Sequence, residues 1–323
     1  MFGLRREGKK AFIETSAEVA NERGYGGQSM VAPLKRVVVR RPAVSGSGDE
    51  AAMFNYPQPP NDAKAIEEHQ AFIDILSSNG VEVLIGEAGP AGLHDAIFVY
   101  DTSFVTDEGV ILLRPGKEVR RDEVALAQQL WEELEVPILG TIEEPGTVEG
   151  GDLLWVDSAT VAVGQGYRTN SHGIDQLEIF LRTVGVDVLR TDLPYWTGPR
   201  DCLHLLSLLS PVAPRVAVAH LKLMSVSFVE ELKLRDWTFI EILDEEFVTQ
   251  ATNVLALAPG KVLMLKDNPV TIGRLREAGY EVITYTGDEL SHNRAGGPTC
   301  LTNPMLRDLM TLVESDTIED ADA

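Results

Sequence analysis

The chain is poor in cysteine and in positive charge. Its 323 residues include two cysteines, Cys202 and Cys300. Two cysteines cannot build the disulfide framework of a small secreted protein or a cysteine-rich zinc site. The 28 Lys and Arg residues are outnumbered by 50 Asp and Glu residues, which gives a formal net charge of −22. Binding to nucleic acid or to an anionic membrane surface needs a basic footprint, so neither partner is expected.

Long apolar runs are also lacking. No stretch of the sequence reaches the roughly 18 uninterrupted apolar residues that a transmembrane helix needs. The basic residues near the N-terminus are not followed by the apolar segment of a secretory signal. Hydrophobic residues nevertheless make up 44% of the chain, which is enough for a packed core. The composition therefore predicts a globular cytoplasmic protein.

The two ends of the chain differ from its middle. Residues 1–34 show weak periodicity and are interpreted as an N-terminal extension. Residues 313–323 are acidic and poor in apolar side chains, which predicts a disordered tail. No Pro-rich or Ser-rich linker interrupts residues 35–312, so we expect this part to form a single catalytic domain.

Between these ends, strand-like and helix-like segments alternate. Helices are predicted after Asn61, Asp122, Gly173 and Asn268, where capping residues or helical spacing occur. The predicted strands are 36–42, 81–85, 96–100, 110–113, 153–155, 161–163, 254–257 and 262–265. The hairpin–helix–strand unit recurs about every 50–60 residues, which favours a repeat architecture over one open sheet.

One cysteine and one histidine are candidates for thiol chemistry, which combines a cysteine, an acid/base histidine and a carboxylate. Cys300 follows two glycines that keep bulky groups away from its sulfur. His204 is predicted to share a strand face with Cys202 and Leu206. Taken singly, each candidate is more typical of a buried core residue than of a catalytic one. The other histidines lack metal-ligand spacing, so no metal site is predicted.

Three acids and two arginines are further candidates. Glu149 lies between Pro-Gly and Gly-Gly, an unusual setting for a solvated carboxylate. Asp95 and Asp101 flank the apolar residues 96–99, which suggests a polar pocket. Arg120 and Arg168 can form paired hydrogen bonds to a carboxylate. Each of these residues alone is also compatible with a turn, a strand end or an exposed surface.

The candidates fall into six motifs in a fixed order. These are HDxIFVxD at 94–101, RPGxxxRR at 114–121, GTVEGGD at 146–152, GxRTN at 166–170, LHL at 203–205 and GGxxC at 296–300. Together they resemble the dimethylarginine dimethylaminohydrolase branch of the guanidino-group-modifying superfamily. That superfamily also contains arginine deiminases, agmatine deiminases and amidinotransferases. The resemblance covers about residues 35–308, and the combination is far more specific than any single motif.

The resemblance implies a fold and a catalytic triad. The fold is a five-bladed α/β propeller (pentein) of ββαβ units around a polar channel. Cys300 is implied as the nucleophile, His204 as the acid/base and Glu149 as the carboxylate beside them. Residues 45–50, rich in glycine and serine, resemble a mobile lid over the channel.

The resemblance also implies how substrate is held. Asp95 and Asp101 correspond to substrate-binding acids, and Arg120 and Arg168 to the pair that holds the α-carboxylate. The main-chain carbonyl of Arg294 corresponds to the group that binds the α-amino group. The implied partner is a small guanidinium compound, most readily an N-omega-methylated arginine that is hydrolysed to citrulline and an alkylamine through a thiouronium intermediate. No metal or organic cofactor is implied.

Two positions depart from the family pattern. Leu206 stands where the deiminases have an acid, and an apolar residue there favours an alkylated nitrogen over free arginine. Tyr100 stands where the hydrolase branch has Glu, which removes an acid from the predicted pocket. An arginine deiminase-like hydrolase, an amidinotransferase and a non-catalytic binding propeller stay open as alternatives. So do a regulatory disulfide between Cys202 and Cys300 and a homo-oligomeric state.

Overall fold

A computed structural model describes residues 23–46, 48–200 and 203–308. Its strands are β1 Leu34–Arg40, β2 Glu82–Gly86, β3 Ser103–Thr106, β4 Gly109–Leu112, β5 Ile138–Thr141, β6 Leu153–Asp157, β7 Thr160–Gln165, β8 Asp187–Asp192, β9 Leu209–Ala213, β10 Val216–Ala219, β11 Thr238–Glu241, β12 Leu255–Ala258, β13 Lys261–Leu265, β14 Glu281–Tyr285 and β15 Asn303–Arg307. Its α-helices are α1 Glu50–Phe54, α2 Asp62–Ser78, α3 Glu123–Glu133, α4 Ser171–Thr183, α5 Val226–Leu234, α6 Asp244–Phe247 and α7 Pro269–Glu277.

These strands form five three-stranded sheets, which we call blades. In each blade the middle strand pairs antiparallel with one neighbour and parallel with the other. A helix covers the crossover between the parallel strands, as α3 does between β4 and β5. The predicted hairpin–helix–strand repeat, and with it the five-unit α/β fold, is confirmed.

The first blade closes the molecule. Its middle strand β1 pairs antiparallel with β15, the last strand in sequence, and parallel with β2. The two ends of the domain therefore share one sheet. Leu34 and Val37 of β1 and Leu255 and Leu263 of the last hairpin belong to a common buried cluster, so the first and fifth blades pack directly together.

Local sequence explains the helix boundaries. The Asn61 side chain accepts a hydrogen bond from the main-chain N–H of Lys64 and caps α2, as predicted. Pro269 occupies the first turn of α7, where its missing N–H costs nothing. Helix α4 begins at Ser171, earlier than predicted, because Asn170 caps it and accepts from the Gly173 N–H.

Two strand predictions are wrong. Residues 96–100 belong to two 3₁₀ turns, His94–Ile97 and Val99–Thr102, and the strand of that hairpin is β3. The segment around His204 is not a strand either, because Leu205–Ser207 forms a 3₁₀ turn that His204 precedes. From sequence alone, a short apolar run is equally compatible with a strand and with a turn. Tertiary packing determines which of the two forms.

These turns place side chains at the centre of the molecule. Three blades are entered through a 3₁₀ turn just before their first strand, namely Val99–Thr102, Gly150–Asp152 and Leu205–Ser207. The loops that lead into β12 and β15 stand at the corresponding places in the other two blades. We call these five segments the entry turns.

Some predictions concern residues outside the described part. Most of the N-terminal extension (1–22), the tail beyond 308, Cys202 and residue 47 of the predicted lid are not described. The domain limits therefore stay predictions. No helix in the described ranges is long and apolar enough to cross a membrane.

Candidate active site

A cavity of about 440 Å³ opens at the centre of the blades, bounded by the entry turns. Seven of the eight predicted site residues line it, namely Asp95, Asp101, Arg120, Arg168, His204, Arg294 and Cys300. The eighth, Glu149, is fully buried behind His204. Residues scattered over some 200 positions of sequence therefore meet at one place.

Glu149 and His204 form a buried pair. The Nε2 atom of His204 lies 2.7 Å from the Oε2 atom of Glu149. The guanidinium of Arg168 lies 3.2 Å from both carboxylate oxygens. The main-chain N–H groups of Gly116 and Lys117 donate to Oε1 at 3.0 and 3.3 Å. Burial opposes ionisation, but Arg168 and His204 outweigh it and hold the pKa of Glu149 well below its usual range.

A glycine makes the approach of His204 to this turn possible. A Cβ atom on Gly151 would lie 2.4 Å from the His204 Nδ1 atom, closer than real contacts allow. The glycines of the EGGD motif therefore let the His204 ring lie against the Gly150–Asp152 turn. The Ser207 hydroxyl also accepts a hydrogen bond from the His204 main-chain N–H at 3.0 Å.

Asp152 supports the same turn and was not among the predicted site residues. Its Oδ1 atom accepts the main-chain N–H of Leu205 at 3.0 Å, next to His204. Burial raises the pKa of Asp152 to about 6, although the nearby His204 opposes the shift. The GGD ending of the motif is the signal that could have identified it.

Arg120 has more protein partners than the sequence suggested. Its Nη1 atom donates to Asp101 at 2.7 Å, and its Nε and Nη2 atoms donate to Glu123 at 3.1 and 2.9 Å. Its Nη2 atom also reaches the main-chain carbonyls of Asp95 and Phe98. Burial raises the pKa of Glu123 to about 7 despite the opposing charge of Arg120. Arg120 thus holds Asp101 in place, and its contact with a substrate carboxylate stays a prediction.

Lys117 and the α1 segment cover the Asp95 side of the cavity. The Lys117 ammonium donates to Asp95 at 2.7 Å and to the Phe54 carbonyl at 3.0 Å, and it lies 4.9 Å above the Phe54 ring. The Tyr56 hydroxyl also donates to Asp95. These contacts hold α1, which directly follows the predicted lid, against the cavity. Lys117 is a variable position of the RPGxxxRR motif, so the motif gave no reason to select it.

The Arg294 side chain turns into a buried network. Its Nε and Nη2 atoms donate to Glu289 at 3.1 and 3.0 Å, and its Nη1 atom approaches the His94 carbonyl at 3.4 Å. This network fixes the backbone near Arg294 at the cavity wall. The predicted use of its main-chain carbonyl stays a prediction.

Cys300 is half-buried and faces the same cavity as His204. The side-chain amide of Asn253 donates to its Sγ atom at 3.3 Å. The cysteine carbonyl accepts the main-chain N–H of Tyr100 at 3.4 Å. The thiol is therefore accessible, whereas the backbone that carries it is tied to the neighbouring entry turn.

The two positions that depart from the family pattern lie in the core. Leu206 and Tyr100 are 4% and 5% exposed, and both belong to the apolar cluster that contains Leu154 and Leu209. Neither lines the cavity in the described structure, whereas Ser207 does. The expectation that the apolar Leu206 side chain lies beside an alkylated nitrogen of the substrate is therefore wrong, because Leu206 packs in the core.

The outer part of the cavity is apolar. Trp196 is 40% exposed and packs edge-on against Phe247 with ring centroids 5.2 Å apart. Val248 lies beside them and is 75% exposed. We call these three residues the rim. The cavity thus combines an interior lined by charged side chains of both signs with apolar side chains at the rim.

Asp101, Glu149 and His204 bring their ligand atoms within 4.8 Å of one another, as metal ligands do. The carboxylate oxygens of Asp101 and Glu149, however, already accept hydrogen bonds from cations or N–H groups. Asp101, for example, accepts from Arg120 and from the Gly151 N–H. Carboxylates that are held in this way can orient the imidazole of His204 and stabilise its protonated form. The arrangement is compatible with the predicted acid/base role of His204, which stays a prediction.

Comparison with known proteins gives a consistent result. The chain is 28% identical over 272 residues to an N(G),N(G)-dimethylarginine dimethylaminohydrolase of Streptomyces coelicolor, a match that covers 84% of this chain and 96% of that protein. The structure matches that of a cysteine-to-serine mutant of dimethylarginine dimethylaminohydrolase from Pseudomonas aeruginosa, complexed with citrulline. That match has a TM-score of 0.67 and 27% identity and covers 84% and 98% of the two chains.

A more distant structure shares the fold. The N-terminal domain of ArgZ, an arginine dihydrolase from cyanobacteria, matches with a TM-score of 0.72 and 17% identity, covering 84% of this chain and 97% of that one. The family model described as "N,N dimethylarginine dimethylhydrolase, eukaryotic" matches residues 50–307, well over half of the chain. With its five ββαβ blades around a central cavity, the chain belongs to the dimethylarginine dimethylhydrolase family.

Proposed function

We propose that this protein is a cysteine-dependent hydrolase that converts N-omega-methylated arginine to citrulline and an alkylamine. The observation that carries the proposal is the buried Glu149–His204 pair, 2.7 Å apart, which faces the same cavity as the accessible thiol of Cys300. The family match and the relatives with dimethylarginine hydrolase names support the same activity.

The acids of the cavity suit a cationic guanidinium. Asp95 and Asp101 line the interior, and both are almost fully buried. A guanidinium held between such acids is fixed in orientation before reaction, and part of the entropic cost is met by binding. Since Asp95 is paired with Lys117, we expect an arriving guanidinium to exchange places with this ammonium.

The first chemical step forms a covalent intermediate. The Cys300 thiolate attacks the guanidinium carbon, and a C–S bond forms. The bond from this carbon to the methylated nitrogen then breaks, while His204 donates a proton to the departing alkylamine. Glu149 holds the ring so that the protonated imidazole is oriented and stabilised. The product on the enzyme is an S-alkylthiouronium group.

The second step releases the ureido product. His204, now neutral, takes a proton from water, and the oxygen attacks the thiouronium carbon. The C–S bond breaks and Cys300 leaves as thiolate, while the remaining hydroxyl proton is released to solvent and the carbon keeps the oxygen as the ureido carbonyl of citrulline. The histidine ends protonated and the thiol ionised, as at the start of the cycle. We assign the α-carboxylate to Arg168 and Arg120 and the α-amino group to the carbonyl of Arg294.

A substrate panel tests the proposal against its alternatives. The protein is incubated separately with dimethylarginine, monomethylarginine, arginine and agmatine, and the ureido product and released amine are measured by mass spectrometry. We expect turnover of the methylated arginines to exceed that of arginine. Preferred turnover of arginine would indicate a deiminase, and activity that requires an added amine acceptor would indicate an amidinotransferase.

A matched pair of cysteine variants tests the nucleophile. Cys300→Ser is expected to abolish turnover, because serine lacks a stabilised anion at neutral pH, whereas Cys202→Ser is expected to retain it. Absence of turnover of all four compounds by the reduced wild-type protein would leave the binding-propeller alternative. A fully active Cys300→Ser variant would remove the nucleophile assignment.

A further inference from the structure

The five entry turns contribute different groups to one cavity. In four blades the proposed chemistry comes from the entry turn or the residue just before it, namely Asp101 before β3, Glu149 before β6, His204 before β9 and Cys300 before β15. The fifth blade begins at β12, and the residue at the corresponding place is Asn253. Asn253 lines the cavity and is 9% exposed. The five-fold repeat therefore places a fifth polar side chain at the site.

The orientation of the Asn253 amide is determined by its neighbours. Its Oδ1 atom accepts the main-chain N–H of Thr299 at 3.1 Å, and its Nδ2 atom lies 3.3 Å from the Cys300 sulfur. The opposite orientation would set the amide NH₂ against the Thr299 N–H, donor against donor. The N–H of Asn253 therefore points at the sulfur.

The backbone around Cys300 is built to admit this side chain. A Cβ atom on Gly297 would lie 2.4 Å from the Asn253 side chain, so any larger residue at that position would displace the amide. The Thr299 hydroxyl also donates to the carbonyl of Val254, next to Asn253, at 3.3 Å. The GGxxC motif thus holds the cysteine loop and the β12 entry turn in contact.

A neutral donor has an advantage at this position. A lysine or arginine beside the sulfur would stabilise a thiolate but would repel the cationic guanidinium that the sulfur must attack. An amide N–H stabilises the anion through a charge-assisted hydrogen bond and adds no charge. It therefore favours the ionised nucleophile without opposing substrate binding.

We propose that Asn253 is a catalytic residue of this enzyme, whose side-chain amide, oriented by Thr299, stabilises and aims the Cys300 thiolate. The proposal rests on the proposed function, in which Cys300 is the nucleophile. It adds a member to the site that was not among the residues selected by sequence.

The test measures the thiol without requiring turnover. In a Cys202→Ala background, the rate of Cys300 alkylation by iodoacetamide is followed in the free enzyme from neutral to alkaline pH. Asn253→Asp keeps the shape and the acceptor for Thr299 but places an oxygen against the sulfur, and Asn253→Ala removes the amide. Thr252→Val is the matched control, because the Thr252 hydroxyl donates to the Ser207 carbonyl in the same turn.

In the Asn253 variants, we expect the midpoint of the curve of alkylation rate against pH to move to higher pH. Loss of a hydrogen bond to a charged group corresponds to about one pH unit, so below the midpoint alkylation slows about tenfold in Asn253→Ala and further in Asn253→Asp. Thr252→Val is expected to leave the midpoint in place. An unchanged midpoint in folded Asn253→Asp protein, or failure of both Asn253 variants to fold, overturns the proposal. A displaced midpoint in a protein that turns over no guanidine would refute the proposed function alone.

Discussion

The two walls of the cavity are built differently. One, which we call the carboxylate wall, is formed by Asp101 and His204 with Glu149 and Asp152 buried behind them, and all four are held by ion pairs or N–H groups. The other, the thiol wall, consists of Asn253 and Cys300, where a neutral amide meets a half-buried sulfur. The groups that we propose for proton transfer are thus buried and preorganised, while the proposed nucleophile is accessible from the cavity.

Glycines explain how the carboxylate wall is assembled. A Cβ atom on Gly150 would lie 1.9 Å from the Tyr100 carbonyl, and one on Gly151 would lie against His204. Gly150 therefore lets its turn approach the backbone at Tyr100, and Gly151 makes room for the ring of His204. Substitution at either glycine would separate the acids from the imidazole.

The largest effect is expected from Glu149→Gln. An uncharged amide cannot stabilise the imidazolium of His204, and we expect kcat to fall by about 10³-fold. The buried Arg168 also loses its counterion, with a cost of about 3 kcal/mol in the free energy of unfolding. Stopped assays of citrulline and urea denaturation measure the two effects. Glu144→Gln, at an exposed carboxylate, is the control, and equal losses in both variants would contradict the assignment of the carboxylate wall.

The next effect concerns Leu206. Because Leu206 is packed in the core, Leu206→Asp is expected to destabilise the fold by about 3 kcal/mol without creating arginine deiminase activity. Ser207→Asp, one residue on, faces the cavity and is expected to shift preference from methylated arginine toward arginine. Thermal denaturation measures the stability of the Leu206→Asp and Ser207→Asp variants, and the substrate panel measures their preference between methylated arginine and arginine. A stable, arginine-preferring Leu206→Asp variant would restore the original interpretation of that position.

A pH-dependent effect is expected at Asp152. Its pKa is raised to about 6 by burial, so the folded protein binds this proton more tightly than the unfolded chain, and stability is lost as the pH rises from about 4 through 6. Asp152→Asn keeps the acceptor for Leu205 and removes the titration. We expect the free energy of unfolding of the variant, measured relative to that of the wild type, to increase by up to about 3 kcal/mol as the pH rises from ~4 to ~7. Parallel stability curves across this range would contradict the burial argument.

The smallest effect is expected at the rim. Trp196→Ala removes an apolar contact with bound substrate but no reacting group, so we expect KM to rise by about 3- to 10-fold with kcat unchanged. Tyr195→Ala is a suitable control, because Tyr195 is 70% exposed and is not among the residues that line the cavity in the described structure. A fall in kcat in Trp196→Ala would contradict this prediction and would indicate that Trp196 contributes to the reaction itself.

The sequence predicted which residues meet at the site better than it predicted their local structure. Cys300, His204, Glu149 and the pocket acids were selected from motif order, and the structure gathers them around one cavity. Their local structure was predicted less well, because apolar runs such as 96–100 resemble strands until packing turns them into 3₁₀ segments. The partners of Arg120 could not be read from sequence, since Glu123 carries no motif signal of its own.

By itself, the sequence determined the repeated ββαβ pattern and the set of side chains that meet at the cavity. Each of these depends on residue type and on near-neighbour spacing. Only the tertiary structure decided that Leu206 and Tyr100 lie in the core, that Glu149 pairs with His204, and that Asn253 donates to Cys300. These contacts join residues of different blades or the two faces of a turn, and the closure of five sheets around one axis is what sets them.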